Sequence, residues 1–191
     1  MNTVLTKFYD APPISHRDIL RYAGAGDSDI GELLNDCIAE AQGALEYKVC
    51  YMELPVKICG ELCQIGELSF LSCDLAKNLS GCIRAVIFAA TVGTGIDRLI
   101  MKYGRISPSR ALIFQAIGAE RIEALCDRFC LDVAEGRATK PRFSPGYGDL
   151  SIEHQRDIFA LLDCPRKIGL SLVDSKLMTP TKSVTAIMGI K

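Results

Sequence analysis

Residues 83–91 read IRAVIFAAT, and the fold turns on how that run is buried. Apart from Arg84 it is a near-continuous apolar stretch. It shows neither the alternation of a strand with one wet face nor the spacing of an amphipathic helix. A short run of this kind reads as an interior strand covered on both sides. Its length and its arginine exclude a membrane span.

Working outward, residues 92–104, VGTGIDRLIMKYG, continue the strand into a glycine turn and a helix, the order in which many phosphate sites are built. Here the motif is only Gly93-Thr94-Gly95. Arg98 stands where a dinucleotide fingerprint has its third glycine, and no Lys-Ser or Lys-Thr follows, so the stretch reads as a tight strand-to-helix turn. Ser107 or Ser109 then caps the longest helix, running to about residue 135, with Ile117, Ile122, Leu125, Cys126, Phe129 and Val133 on its apolar face and Glu120, Glu123 and Asp127 on its polar one.

Upstream, KVCYMELPVKIC (48–59) alternates like a strand, with Pro55 at a bend or edge. ELCQIGELSFLS (61–72) adds one or two more strands, and residues 74–79 form a short helix closed by Gly81. Before these, Ser15 caps a helix that Gly24 or Gly26 ends, and Asp27 or Ser28 caps another from residue 29 to about 47. Residues 1–14 read as an irregular arm ending in Ala11-Pro12-Pro13.

Downstream, GRATKP (136–141) reads as a polar, mobile connector. After the loop RFSPGYGD (142–149), Ser151 caps a helix that Cys164-Pro165 ends. Residues 168–174 form a strand, 175–180 a turn and 183–190 a closing strand. No repeat or long linker divides the chain. The order predicts an α+β fold, residues 1–191 as a single domain, with a mainly antiparallel central sheet and helices packed on it.

The 191 residues, 49% hydrophobic, suffice for a proper core. A net charge of −1, from 22 basic and 23 acidic residues without long runs of one sign, argues against nucleic acid or a membrane surface as partner. No apolar segment of signal-peptide length opens the chain, so a cytoplasmic location is expected. The cysteines number nine, and without a secretory signal free thiols are the expectation. Cys59/Cys63 and Cys126/Cys130 lack the two-residue spacer of structural zinc sites, so no metal is expected.

The loop at 142–149 carries the residues with chemistry. Arg142 is a permanent cation whose planar fork suits a carboxylate. Pro145 stiffens the turn, Gly146 and Gly148 permit close backbone approach, and Tyr147 between them is free to lie on a ligand. The set describes a loop that wraps a small charged molecule.

RFSPGYG resembles the Arg-x-x-x-Gly-Tyr signature of the activation domain of cobalamin-dependent methionine synthase. KIGLSLVDSKLMTPTKSVTAIMG resembles its closing segment, with Met178-Thr179-Pro180 and Ser183-Val184-Thr185 as the motif residues, and QAIGAERIEAL fits the helix before the loop. The likeness covers most of residues 83–191, and the first 80 residues fit short, free-standing members. Where fused forms continue Gly-Tyr-Pro-Ala-Cys-Pro-x-His, this chain has Gly146-Tyr147-Gly148-Asp149-Leu150-Ser151, with His154 displaced by one position.

The resemblance implies S-adenosylmethionine binding and a part in methionine biosynthesis: reductive methylation of the cob(II)alamin form of a partner. It puts Arg142 on the methionine carboxylate, the backbone of Ser144, Gly146 and Tyr147 on polar groups, and Tyr147 as the catalytic residue near the corrin face. Glu120, Glu123 and Ser183 are further contacts. The cobalamin would be carried by the partner, a methionine synthase or related corrinoid protein, since the cobalt-ligand motif Asp-x-His-x-x-Gly is absent and neither His16 nor His154 fits it. A low-potential donor such as flavodoxin or ferredoxin would supply the electron. Two alternatives stand beside this: a non-catalytic corrinoid-protein docking or S-adenosylmethionine-sensing module, and a thiol redox or metal-binding protein.

Overall fold

In a computed structural model, describing residues 3–25, 30–173 and 176–191, the run at the centre of the sequence is the centre of the sheet. Strand β5 (Arg84–Thr91) lies between β2 (Tyr47–Cys59) and β8 (Ser183–Ile190), antiparallel to both. Strands β3 (Leu62–Ile65) and β4 (Leu68–Leu71) extend the sheet beyond β2 as a meander. The fold is α+β, as expected.

Alternation along β5 explains the unbroken apolar run. Val86, Phe88 and Ala90 face one core, Ala85, Ile87 and Ala89 the other, and all six are fully buried. The first core is closed by α1 (His16–Ala23), α2 (Gly31–Gln42), α4 (Gly95–Gly104) and α5 (Pro108–Ala134). The second is closed by α6 (His154–Leu162) and α7 (Cys164–Ile168), with Leu75 of α3 (Cys73–Asn78). Each face of the sheet loses water to helices, so the strand is apolar on both faces from Ala85 to Ala90.

Several expectations need correction. Residues 1–14 are not wholly irregular: β1 (Leu5–Tyr9) pairs antiparallel with β2, from Leu5↔Tyr51 to Tyr9↔Tyr47. Its pairing with a distant strand, and the ties of Lys7 and Tyr9 to Asp132 on α5, hold it in place. Helix α2 stops at Gln42 rather than near residue 47, because Tyr47 is already paired in β2. The proposed caps Asp27 and Ser28 lie outside the described residues. Ser15 does cap α1, its Oγ accepting from the Asp18 amide at 3.3 Å.

The segment 136–141 is no loose connector. With its neighbours it runs along the outer edge of β8 through four backbone hydrogen bonds: Lys140 to Gly189, Phe143 to Ile187 and back, and Lys191 to Ala138. The sheet edge is thereby covered. Helix α6 begins at His154, not directly after Ser151. Cys164-Pro165 opens the short helix α7 rather than ending the helical region. Of the strand expected at 168–174, the described residues give only β6 (Ser171–Leu172), paired with β7 (Met178–Thr179) inside the expected turn; residues 174 and 175 lie outside the described residues.

The Gly93-Thr94-Gly95 turn is structural. A Cβ built on Gly95 would stand 1.9 Å from the Ala44 carbonyl oxygen, a backbone atom that cannot swing away. Gly95→Ala is therefore expected to destabilise the fold by about 3 kcal/mol, the upper end for overpacking. A urea titration reads this as a lowered midpoint; an unchanged midpoint would show that the two segments separate freely.

All nine cysteines are free thiols, and the pairs 59/63 and 126/130 do not converge, since Cys63 and Cys126 belong to the cores on opposite faces of the sheet. Six are buried, and Cys59 alone is exposed. Burial pushes the Cys126 thiol up, away from thiolate and from reactivity. A disulfide-forming reagent is expected to modify Cys59 quickly in the native protein, and all nine thiols only after unfolding without reductant. Fewer than nine after unfolding would mean that some are oxidised or blocked.

Candidate functional site

The edge of the sheet at the start of β8 carries a cleft of about 380 Å³. Its walls come from Glu123 of α5, the segment Arg142, Phe143, Ser144, Pro145 and Tyr147, Gln155 of α6, Met178 of β7, and Ser183, Val184 and Thr185 of β8. The volume lies within the range of roughly 300–1,000 Å³ usual for small-molecule sites.

Arg142 reaches the cleft because the Phe143 backbone pairs with Ile187 of β8 in both directions, each bond 2.8 Å. Its guanidinium is forked across α5, one nitrogen on Asp127 Oδ1 and the other on Glu123 Oε2. Burial works against its charge, but the hydrogen bond it donates to Asp127 and the charges beside it outweigh this and raise its pKa. The cation is permanent and held in a fixed orientation.

The loop after Arg142 is pinned at its far end. The Asp149 carboxylate accepts from the Cys73 amide at 2.8 Å, the Asp74 amide at 3.2 Å and the Ser72 hydroxyl, closing the start of α3. The Ser72 hydroxyl and these amides hold the Asp149 carboxyl below its usual pKa. Gly148 makes the anchor possible, with φ +51° and only 2.5 Å between an added Cβ and Asp74 Oδ2. Within the loop, Gly146 N donates to the Leu150 carbonyl at 2.8 Å, Tyr147 N to Ser144 at 3.1 Å, and Leu150 N to Tyr147 at 3.0 Å. The Gly146 and Tyr147 amides are therefore spent on the loop itself. The Tyr147 ring is left standing at the mouth of the cleft, 69% exposed.

Of the residues singled out from the sequence, Arg142, Glu123, Ser144, Tyr147 and Ser183 line one cleft, with Gly146 shaping the loop. Glu120 is elsewhere. It is buried, paired with Arg121 and accepting the Ser15 amide at 3.0 Å, while Arg121 donates to the carbonyls of Pro12 and Pro13. This cluster clamps the N-terminal segment to α5. Ser183 Oγ lies 2.8 Å from both the Pro180 carbonyl oxygen and Thr91 Oγ1, so it fixes the entry into β8.

Sequence reasoning missed two members. Gln155 is 5% exposed and Thr185 is 2% exposed, and both line the cleft. Gln155 Oε1 and Thr185 Oγ1 have no hydrogen-bond partner. A buried polar atom left unmade costs about 1–3 kcal/mol, and two such atoms, one from α6 and one from β8, line this cleft. The signal for Gln155 was present: residues 155, 158, 159 and 162 share one helical face, and Ile158, Phe159 and Leu162 are apolar. A glutamine on that face is out of place. His154 turns away, its ring against Phe70 and its Nδ1 3.1 Å from Asp157.

No protein-family model matches the sequence, and no curated protein is similar to it. Among solved structures, a crystal structure of the MetH reactivation domain bound to AdoHcy matches over 98% of this chain and 78% of that one, with TM-score 0.74 and 14% sequence identity. The chain has the fold of the MetH reactivation domain. Among the described residues no helix is long and apolar enough to cross a membrane, and no three metal-ligating side chains are grouped to hold an ion.

Proposed function

We propose that the cleft beside β8 binds S-adenosylmethionine, and that the chain, as a separate subunit, supports reductive methylation of a cob(II)alamin-bearing partner in the cytoplasm. The observation that carries this is the Arg142–Glu123 pair in a cleft with two unmade buried polar atoms, on a fold that MetH's reactivation domain uses with AdoHcy bound. AdoHcy is what S-adenosylmethionine becomes on losing its methyl group.

An amino-acid tail presents a carboxylate and an ammonium close together. Arg142 and Glu123 present the opposite charges close together, so the ligand's carboxylate takes the guanidinium and its ammonium takes Glu123. The bound sulfonium would supply the methyl group, and a low-potential donor such as flavodoxin or ferredoxin would supply the one electron that the partner's cob(II)alamin needs to accept it. The chain's residues need move no proton. They hold the ligand and exclude misaligned approach, which is catalysis by positioning.

Calorimetric titration with S-adenosylmethionine and AdoHcy tests the binding, and methylcobalamin formation with a corrinoid partner and a reductant tests the role. Binding without methyl transfer would make the chain a sensing or docking module, the reading favoured by Gly148-Asp149 standing where fused forms have Pro-Ala. Absence of binding would overturn the proposal.

A further inference from the structure

We infer that Gln155 reads the adenine base of the ligand and makes the cleft selective for adenosyl over other nucleosyl compounds. The inference rests on the proposed S-adenosylmethionine site and names the group that recognises one part of that ligand.

The argument starts from the burial of a carboxamide where nothing in the protein requires one. Gln155 stands in the first turn of α6 and points with Ile158, Phe159 and Leu162 toward the sheet, yet it lines the cleft. Its Oε1 is fully buried and has no partner. Across the cleft, Thr185 of β8 places a second unpartnered polar atom, its hydroxyl oxygen, on the same side of the sheet, the side that Ile187 also faces. Phe143 and Met178, which pack on the core of that side, and Pro145 give this end apolar walls suited to a flat ring, while Ser144, Tyr147, Ser183 and Val184 complete the lining. The charged end of the cleft, Glu123 of α5 with Arg142 paired to it, lies toward the other face of the sheet, which α5 covers. The cleft is thus polarised, with charges at one end and neutral hydrogen-bonding groups among apolar walls at the other.

A glutamine side chain offers one acceptor and two donors side by side. That is the complement of adenine, whose 6-amino group donates next to an accepting ring nitrogen, and glutamine pairs with adenine in this bidentate way in the DNA major groove. The buried Oε1 would accept from the 6-amino group and the amide nitrogen would donate to the ring. A site built to bond a ligand N–H discriminates strongly against an analogue that lacks it, because its own buried acceptor is then left bare.

The test is calorimetric titration with AdoHcy and with its purine-riboside analogue, in which hydrogen replaces the 6-amino group. The wild-type protein is expected to bind AdoHcy at least tenfold more tightly. In Gln155→Met, a near-isosteric change that removes the unmade acceptor, the ratio is expected to fall close to one, with a melting temperature no lower than that of the wild type. Thr185→Val is expected to keep most of the ratio. If the wild type binds AdoHcy and the analogue equally, or if Gln155→Met keeps the preference, adenine is read elsewhere and this inference fails while the binding site stands. If neither compound binds the wild type, both fall together. A Gln155→Met protein that melts lower than the wild type would show that the carboxamide has a structural role, and would overturn the inference.

Discussion

Arg142→Ala is expected to weaken S-adenosylmethionine binding by roughly tenfold to a hundredfold. Charge-assisted hydrogen bonds to a carboxylate contribute on the order of 1.5–3 kcal/mol, and each 1.4 kcal/mol is a factor of ten. The guanidinium is already oriented before any ligand arrives, held across Glu123 and Asp127 by a backbone tied to β8. Little ordering remains to be done when a carboxylate docks, which favours the upper part of that range. Arg142→Lys should recover only part of the loss, since one ammonium cannot span both acidic residues and the ligand. Glu123→Gln should weaken binding in the same direction through the ligand's ammonium. Calorimetry on the three variants, with melting curves to confirm that each is folded, decides the matter. An Arg142→Ala protein that binds like the parent would place the ligand outside this cleft.

Tyr147→Ala is expected to leave that affinity within a factor of about two while lowering methylcobalamin formation with the partner roughly tenfold to a hundredfold, the scale on which misplacing a reacting group by an ångström is felt. The two effects separate because of where the ring stands. The backbone at Tyr147 is fixed by its bonds to Ser144 and Leu150 and by the Asp149 anchor, none of which involves the ring. Removing the ring leaves the loop intact. The ring itself is exposed at the mouth of the cleft, where a docked corrin face would meet it. An equal fall in affinity and rate would assign the ring to the ligand instead; an unchanged rate would remove it from the encounter altogether.

Much of this was legible along the chain. The apolar run 83–91 announced a two-sided strand because covering both faces of a sheet with helices favours apolar residues at successive positions, as at 85–90. The glycine turn after it read as a tight turn because its spacing failed every phosphate motif, and the approach of Ala44 to Gly95 gives the reason for the glycine. Arg142 and Tyr147 drew attention through residue type and Ser144 through the family resemblance, and all three line a cleft.

Other features could not be read locally. β1 lies before two prolines and exists because β2 offers it an edge. Glu120 and Glu123 look equivalent on one polar face, yet one clamps the N-terminal segment through Arg121 and the other meets Arg142. A separation of three residues on a helix turns side chains by 300°, so which neighbour each meets depends on what packs beside the helix.

The sequence by itself determined the elements whose signal is periodicity and turn chemistry: the central strand, the long helix, the meander and the loop rich in glycine and arginine. Those patterns report how each segment is buried. The tertiary structure alone decided which side chains share a cleft. Arg142 finds Asp127 and Glu123, 15 and 19 residues away, and Gln155 faces β8 with its acceptor unmade, because α5 and α6 cover opposite faces of one sheet whose edge holds the loop. Burial is written into each segment's own residues, whereas proximity between segments is set by how their cores close on one another.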